Sequence, residues 1–129
     1  MTKPQPTQPI VVKKTDTELL KEMIKAQRAL GATVSENIYD SKEYQWDSGE
    51  LIRLDWSGKG LTGSISFSEF ESLNELICYE NQLTSLDVTG CAKMEYLYCN
   101  DNQLSSLDVT VNTALTELKC DDGVEINGR

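Results

Sequence analysis

Cysteine, tyrosine and carboxylate side chains are the groups of this chain that could do chemistry, because histidine is absent. Histidine is the commonest general base and the commonest metal ligand in proteins. Ser-His-Asp and Cys-His catalysis are therefore excluded for this chain. No motif indicates a cleft that would shift the pKa values of carboxylate pairs. We accordingly predict no enzyme activity, no cofactor and no metal site.

Three of the four cysteines recur at an interval of 21 residues, as Cys78, Cys99 and Cys120. Stacked thiols could form a disulfide or hold a metal. Side chains that run parallel suit a disulfide poorly, and a metal would need a further ligand inside an apolar core. The simpler interpretation is a column of small buried side chains. Cys91 lies outside this register and is predicted to be another buried thiol.

The cysteine spacing belongs to a longer repeat, because residues 73–88 return 21 residues later as 94–109. A third copy starts at Leu115, and a looser copy starts at Leu51, 22 residues before Leu73. The shared pattern is L-x-x-L-x-[C/L]-x-x-N-x-L, and both central copies continue with Leu-Asp-Val. The matched positions are Leu73 and Met94, Leu76 and Leu97, Cys78 and Cys99, Asn81 and Asn102, Leu83 and Leu104, Leu86 and Leu107.

Residues 51–122 resemble leucine-rich repeats of the bacterial, cysteine-bearing type, which share the Leu-Asp-Val-Thr end. Residues 15–67 also resemble the cap and first repeat of plant-type leucine-rich repeats. The resemblance there lies in a predicted helix over 18–30, in Trp-Asp-Ser-Gly-Glu-Leu-Ile-Arg-Leu-Asp at 46–55 and in Gly-Leu-Thr-Gly-Ser-Ile at 60–65. The plant-type cap usually carries two cysteines near its tryptophan, and this chain has none there.

The resemblance implies a short right-handed α/β solenoid of about four repeats of 21–22 residues behind an N-terminal helical cap. It also implies recognition of a partner, usually a protein and usually outside the cytoplasm. Because each repeat buries its apolar side only against its neighbours, stacking would make one continuous core.

Three segments are predicted: a tether at 1–14, the cap at 15–50 and the repeats at 51–129. Thr15 and Glu18 form a predicted capping box, so a helix should begin at 16 and end near 30, before Gly31. We expect the apolar and aromatic residues that follow to cover the first repeat. They are Ile38, Tyr39, Tyr44 and Trp46.

The proline-bearing start and the absence of a long apolar run favour an exported protein without a transmembrane segment. A tether of this kind often follows an export signal that has been removed. An extracellular or cell-envelope location is therefore predicted.

The net charge of −9 is unevenly distributed. Residues 1–50 carry 7 basic and 8 acidic side chains, and residues 51–129 carry 5 and 13. An acidic repeat region repels phosphate backbones, which argues against a nucleic-acid partner. The same field favours a basic protein, a cation or a neutral glycan.

Strand alternation predicts which repeat residues face outward, because neighbouring side chains point to opposite sides. If Leu76 and Leu97 point inward, aromatic and apolar residues beside them share the outer face. The predicted contact residues are Ile77, Tyr79, Tyr96, Tyr98, Asn100, Lys119 and Asp121. This face could bind a protein or stack on sugar rings, or it could merely stabilise the sheet through cross-strand pairs.

Asn81 and Asn102 are predicted to be structural, with buried amides that satisfy backbone groups. Glu80, Asp101 and Asp122 should form an acidic column, which either is a solvated rim or binds calcium.

The last repeat departs from the pattern at Asp121, Asp122 and Gly123. An exposed strand edge there could pair with another chain. A homodimer through this C-terminal edge, with a scaffold role, is therefore an alternative function.

Overall fold

The computed structural model describes residues 13–129 and is a β-solenoid of about four turns with one helix. Residues 1–12, which hold most of the predicted tether, lie outside the described residues. The elements are α1 Asp16–Ala29, β1 Tyr44–Asp47, β2 Glu50–Asp55, β3 Thr62–Ser66, β4 Glu75–Ile77, β5 Gln82–Asp87, β6 Tyr96–Tyr98, β7 Ser106–Asp108, β8 Glu117–Lys119 and β9 Glu125–Asn127.

A five-stranded sheet in the order β1-β2-β4-β6-β8 forms one side of the solenoid. β1 is antiparallel to β2, and the other pairs are parallel. The inward leucines Leu54, Leu76, Leu97 and Leu118 are aligned across the sheet, which confirms the predicted register. The short strands β4, β6 and β8 end one residue before the cysteines, slightly earlier than predicted.

The other side of each turn is built from short strands and tight turns. β3 pairs with β5 and β7 pairs with β9, both in parallel. The return turn is the same in successive repeats: Phe70 N–H donates to the Phe67 carbonyl at 3.0 Å, and Cys91 N–H donates to the Val88 carbonyl at 3.0 Å. No return segment within residues 13–129 is helical, so α1 alone represents the α part of the predicted α/β class.

One apolar core runs through the stacked turns, as the repeat pattern predicts. The predicted column begins with Trp56, Cys78 and Cys99, all fully buried. Trp56 packs against Phe67 with ring centroids 5.9 Å apart, which extends the core to the return side. Cys120 continues the column but is only half-buried, because it lies in the last turn of the described chain.

α1 begins with the predicted capping box, since Glu18 N–H donates to Thr15 Oγ1 at 3.2 Å. Leu20 and Ile24 are buried against the core. Asp16 Oδ2 accepts the Leu51 N–H at 2.8 Å and thereby ties the helix to β2. No helix in the described part of the chain is both long and apolar enough to cross a membrane.

Two aromatic residues of the segment between α1 and β2 pack inward. Tyr44 is buried and its hydroxyl donates to the Ser35 carbonyl at 2.8 Å, while Trp46 Nε1 donates to the Ile38 carbonyl at 2.7 Å. The prediction is wrong for Tyr39, which is 78% exposed. Tyr39 lies in a local turn held by its N–H and Asn37 Oδ1, 3.0 Å apart, and this turn directs the side chain into solvent.

Candidate functional site

The solvent side of the five-stranded sheet presents two aligned rows of side chains. Both rows face solvent. The outer row, near the start of the strands, consists of Arg53, Glu75, Tyr96 and Glu117. The inner row, near their end, consists of Asp55, Ile77, Tyr98 and Lys119. These rows follow from the register that the repeat predicts. Because the strands of successive repeats pair in parallel and in the same register, each residue lies directly beside its equivalent in the next turn.

A depression of about 520 Å³ lies on this face. It is lined by Arg53, Asp55, Ile77, Tyr79, Glu80, Tyr98, Asn100 and Lys119. Five of the seven predicted contact residues are thus brought together there, whereas Tyr96 and Asp121 are not part of the lining. Arg53, Asp55 and Glu80 were not among the predicted contacts. The repeat pattern gives these three residues outward positions, and this pattern could have identified them as contact residues.

Ile77 and the two tyrosines beside it form the apolar part of the depression. Ile77 faces outward on the sheet yet is only 7% exposed, because larger neighbours cover it. Tyr79 and Tyr98 are half-buried. The depression therefore combines an apolar floor with two aromatic side chains, which is the composition of many binding surfaces.

Tyr98 is held in place by two charged residues of β8. Its hydroxyl donates to Glu117 Oε2 at 2.8 Å, and Lys119 Nζ lies 4.9 Å from the ring centroid. The hydrogen bond to Glu117, together with partial burial, raises the pKa of Tyr98 to about 12. An aromatic side chain fixed in this way loses little freedom on binding a partner.

Arg53 marks the opposite end of the depression and is already neutralised. Its guanidinium lies 3.2 Å from Glu75 Oε2 and 3.8 Å from Asp55 Oδ2. The Asp55 carboxylate also accepts the Ser57 N–H at 3.0 Å. The depression therefore runs from an ion-paired arginine to the exposed ammonium of Lys119, which lies 3.9 Å from Glu117 Oε1.

Asn100 contributes a polar group to the wall. Its Nδ2 donates to Asp101 Oδ2 at 3.1 Å. Its Oδ1 is buried and has no hydrogen-bond partner in the part of the chain that the structure describes.

Tyr96 and Asp121 stay predicted contacts, although each already has a place in the fold. Tyr96 stands in the outer row between Glu75 and Glu117. Both carboxylate oxygens of Asp121 accept backbone N–H groups, from Asp101 at 2.7 Å and from Asn102 at 3.0 Å. The Asp121 carboxylate therefore holds the turn before it as well as facing solvent.

The predicted structural role of the asparagines is confirmed, although only Asn81 is buried and Asn102 is half-buried. Asn81 Oδ1 accepts the N–H groups of Lys59 at 3.1 Å and Leu61 at 3.0 Å, and its Nδ2 donates to the Cys78 carbonyl at 3.0 Å. Asn102 Oδ1 accepts the Leu83 N–H at 3.0 Å. These amides connect neighbouring turns and are not available to a partner.

The acidic column and the thiols show no arrangement typical of a metal centre. Within residues 13–129, no three histidine, cysteine, aspartate or glutamate side chains are placed to hold a metal ion. All four cysteines are free thiols. Burial raises the pKa of Cys78 to about 12, with smaller contributions from nearby charges, so this thiol is unreactive.

A second, smaller depression of about 350 Å³ lies beside α1 and is lined by three cationic residues, Ile24 and Glu36. The cationic residues are Lys21, Lys25 and Arg28. Arg28 is engaged with Glu36 at 2.8 Å and with the Val34 carbonyl at 2.7 Å. Because this depression is smaller and no aromatic residue lines it, it is a weaker candidate than the sheet face.

Comparison of the chain with known protein families, with curated proteins and with solved structures found no match in any of the three. The leucine-rich-repeat assignment therefore rests on the sequence pattern quoted above.

Proposed function

We propose that this chain is a non-enzymatic recognition module of the leucine-rich-repeat type, with α1 and β1 as its cap. It would bind a protein through the outward face of the five-stranded sheet. We further propose that it acts at the cell surface or after secretion, as the resemblance implies. Neither a cofactor nor a nucleic acid takes part in the proposed function.

The depression around Ile77, Tyr79 and Tyr98 is the observation that carries this proposal. Interface hot spots are enriched in tyrosine and cluster around a desolvated centre with a polar rim. Here the nearly buried Ile77 supplies the centre, and Lys119 and Asn100 supply part of the rim. The area is a shallow face, which suits a protein surface better than a small molecule.

The charges around the depression favour a partner of mixed or basic character. Residues 51–129 carry 13 acidic and 5 basic side chains, so a basic segment would be attracted to the face. Lys119 offers one exposed cation for a carboxylate of the same partner.

The test is affinity capture from cell-surface and secreted extracts with the native chain and with a Tyr79→Ala/Tyr98→Ala variant. The matched control is Tyr39→Ala, which removes the most exposed tyrosine from a different surface. We expect a protein retained by the native chain and the control and lost by the double variant. Retention of every captured protein by the double variant would contradict the proposal.

Glycan binding is the second candidate, favoured by the half-exposed Tyr79 near the Asn100 amide. Sugar rings stack on aromatic faces, and amides bond their hydroxyl groups. One face of Tyr98 is covered by Lys119, which leaves less aromatic surface for stacking. Release of the captured material by soluble sugars would favour the glycan over the protein.

A further inference from the structure

The two edges of the five-stranded sheet differ. At one edge lies β1, which pairs with β2 in antiparallel orientation and whose Tyr44 is buried in the core. At the other edge, no strand of residues 13–129 pairs with the far side of β8. The core is correspondingly open there: Leu97 and Cys99 of the preceding turn are fully buried, whereas their equivalents Leu118 and Cys120 are only half-buried.

One residue of β8, Leu118, directs its backbone N–H and C=O groups toward this open side. Glu117 N–H donates to the Glu95 carbonyl at 3.1 Å, and the Lys119 carbonyl accepts the Cys99 N–H at 2.9 Å. Both residues therefore direct their hydrogen-bonding groups toward the solenoid. Because these groups alternate sides along a strand, the N–H and C=O of Leu118 point away from it.

The side chains of β8 are self-complementary. Within one chain Lys119 Nζ lies 3.9 Å from Glu117 Oε1, and both side chains are exposed and can turn toward a second copy. An antiparallel pair of β8 strands centred on Leu118 sets Leu118 against its own copy, with both N–H and C=O groups exchanged. The same register sets Glu117 of each copy opposite Lys119 of the other. Residues directly opposite in an antiparallel pair point to the same side, so the two charge pairs lie on the solvent face and the leucines on the core face.

We propose that two copies of this chain associate edge to edge through β8, around a two-fold axis at Leu118. The five-stranded sheets then join into one continuous sheet, and the half-buried ends of the two cores seal each other. Such an interface is isologous, as in most homodimers. The β8 edge shares Lys119 with the sheet face of the proposed function, but neither proposal requires the other.

The symmetry has a consequence for the sheet face. A two-fold axis perpendicular to the sheet leaves both depressions on the same side of the dimer. Lys119 of β8 lines each depression, so the two lie close to the axis. A dimer of this kind would present two equivalent faces together and would bind a multivalent partner more tightly than a monomer.

The charge pairs give the first test, which is sedimentation equilibrium of the native chain and three β8 variants. Glu117→Lys and Lys119→Glu each set like charges opposite one another and are expected to weaken the dimer about tenfold or more. The double exchange Glu117→Lys/Lys119→Glu restores opposite charges and is expected to restore the dimer. Lys93→Glu, at an exposed position away from β8, is the control for net charge.

Cross-linking gives a second test that also fixes the register. Glu117→Cys and Lys119→Cys are made separately in a Cys120→Ser background, and each fold is checked by circular dichroism. Opposite positions in a non-hydrogen-bonded pair are within disulfide range. A mixture of the two variants should therefore give a covalent dimer on mild oxidation, and neither variant alone should do so.

A native chain that stays monomeric at high concentration would overturn the proposal, as would a dimer unaffected by single charge reversal. A native chain that stays monomeric would indicate that Glu117 and Lys119 are charges that prevent edge pairing. If the Tyr79→Ala/Tyr98→Ala variant still dimerises but no longer captures the partner, the loss reports on the sheet face and not on the dimer.

Discussion

Asn81 and Asn102 donate to the same acceptor, the carbonyl of Cys78. Their Nδ2 atoms lie 3.0 Å and 2.9 Å from this oxygen. Asn81 reaches it from the same turn and Asn102 from the next one. Because a carbonyl has two lone pairs, it can satisfy both amides. The two side chains thereby connect successive turns on the inside of the solenoid.

Replacing Asn81 should therefore be among the most destabilising polar substitutions in the repeats. Asn81→Ala leaves the Leu61 N–H and the Trp56 carbonyl without the side-chain partner that each has now. We expect a loss of about 3 kcal/mol in the free energy of unfolding, from two buried groups. Urea denaturation measures it. The exposed Asn127 gives the control: Asn127→Ala should change stability by less than about 0.5 kcal/mol.

Glu80 is expected to be a site where glycine stabilises the protein. Glu80 has φ of 56° and Asp101 has φ of 57°, and the equivalent position one turn earlier is Gly58, with φ of 61°. A left-handed backbone costs an L-residue about 1–2 kcal/mol, partly offset by the greater freedom of unfolded glycine. Glu80→Gly should raise the unfolding free energy by about 0.5–1 kcal/mol.

The control for Glu80→Gly is Ser85→Gly, at an exposed position in the interior of β5. Glycine in a strand interior should lower stability by about 0.5–1 kcal/mol. If both substitutions destabilise to the same extent, the left-handed turn is not strained, and the interpretation of Glu80 is wrong.

Cys120 should be the one thiol that reacts in the native monomer, at protein concentrations too low for the proposed dimer to form. Cys78, Cys91 and Cys99 are buried, and burial raises the pKa of Cys91 to about 12. Burial also raises the pKa of Cys120, but this residue is half-exposed. Titration with a chromogenic disulfide reagent should show one slow thiol in the native chain and four in denaturant. Cys120→Ser should abolish the native reaction; two or more reactive thiols in the native chain would indicate that the core opens.

Tyr98 should lose its proton late in an alkaline titration. The hydrogen bond to Glu117 raises its pKa from 10.0 to about 12, so the protonated form is favoured in the folded protein. Its contribution to stability is complete below pH 10. It declines between pH 10 and 12, because the unfolded chain loses the proton first. Ultraviolet absorbance follows the ionisation.

Two variants separate Tyr98 from the other late-titrating tyrosine, Tyr44, whose pKa is raised mainly by burial. Tyr98→Phe should remove one tyrosine from the late phase. Glu117→Gln should bring the Tyr98 ionisation nearer pH 10, since the carboxylate charge is lost. An unchanged titration curve in Glu117→Gln would show that the hydroxyl does not bond this carboxylate in solution.

The 21-residue repeat was sufficient to predict the register of the sheet and the direction of its side chains. Equivalent residues such as Leu76 and Leu97 are paired as the repeat requires. The asparagines that connect the turns and the inward cysteines follow from the same periodicity. A solenoid makes this possible because each turn contacts chiefly its neighbours, so a local pattern determines the long-range contacts.

Packing between turns determined the burial and pairing of side chains on the sheet face, which the repeat pattern could not predict. Ile77 was predicted to lie on the outer face, but only the surrounding side chains make it the nearly buried floor of a depression. The pairing of Arg53 with Glu75 likewise depends on which two side chains become neighbours and how they orient.

The segment before the repeats is where the sequence was least informative. The capping box correctly predicted the start of α1, because capping is a local interaction between Thr15 and Glu18. The antiparallel pairing of β1 with β2 and the exposure of Tyr39 were not predictable, since no periodicity covers residues 31–50. Sequence alone determined the architecture of the repeats, because periodic chains bury equivalent residues in equivalent places. Only the tertiary structure decided the shape of the face and how completely the core is covered at each edge of the sheet, because both depend on which side chains become neighbours.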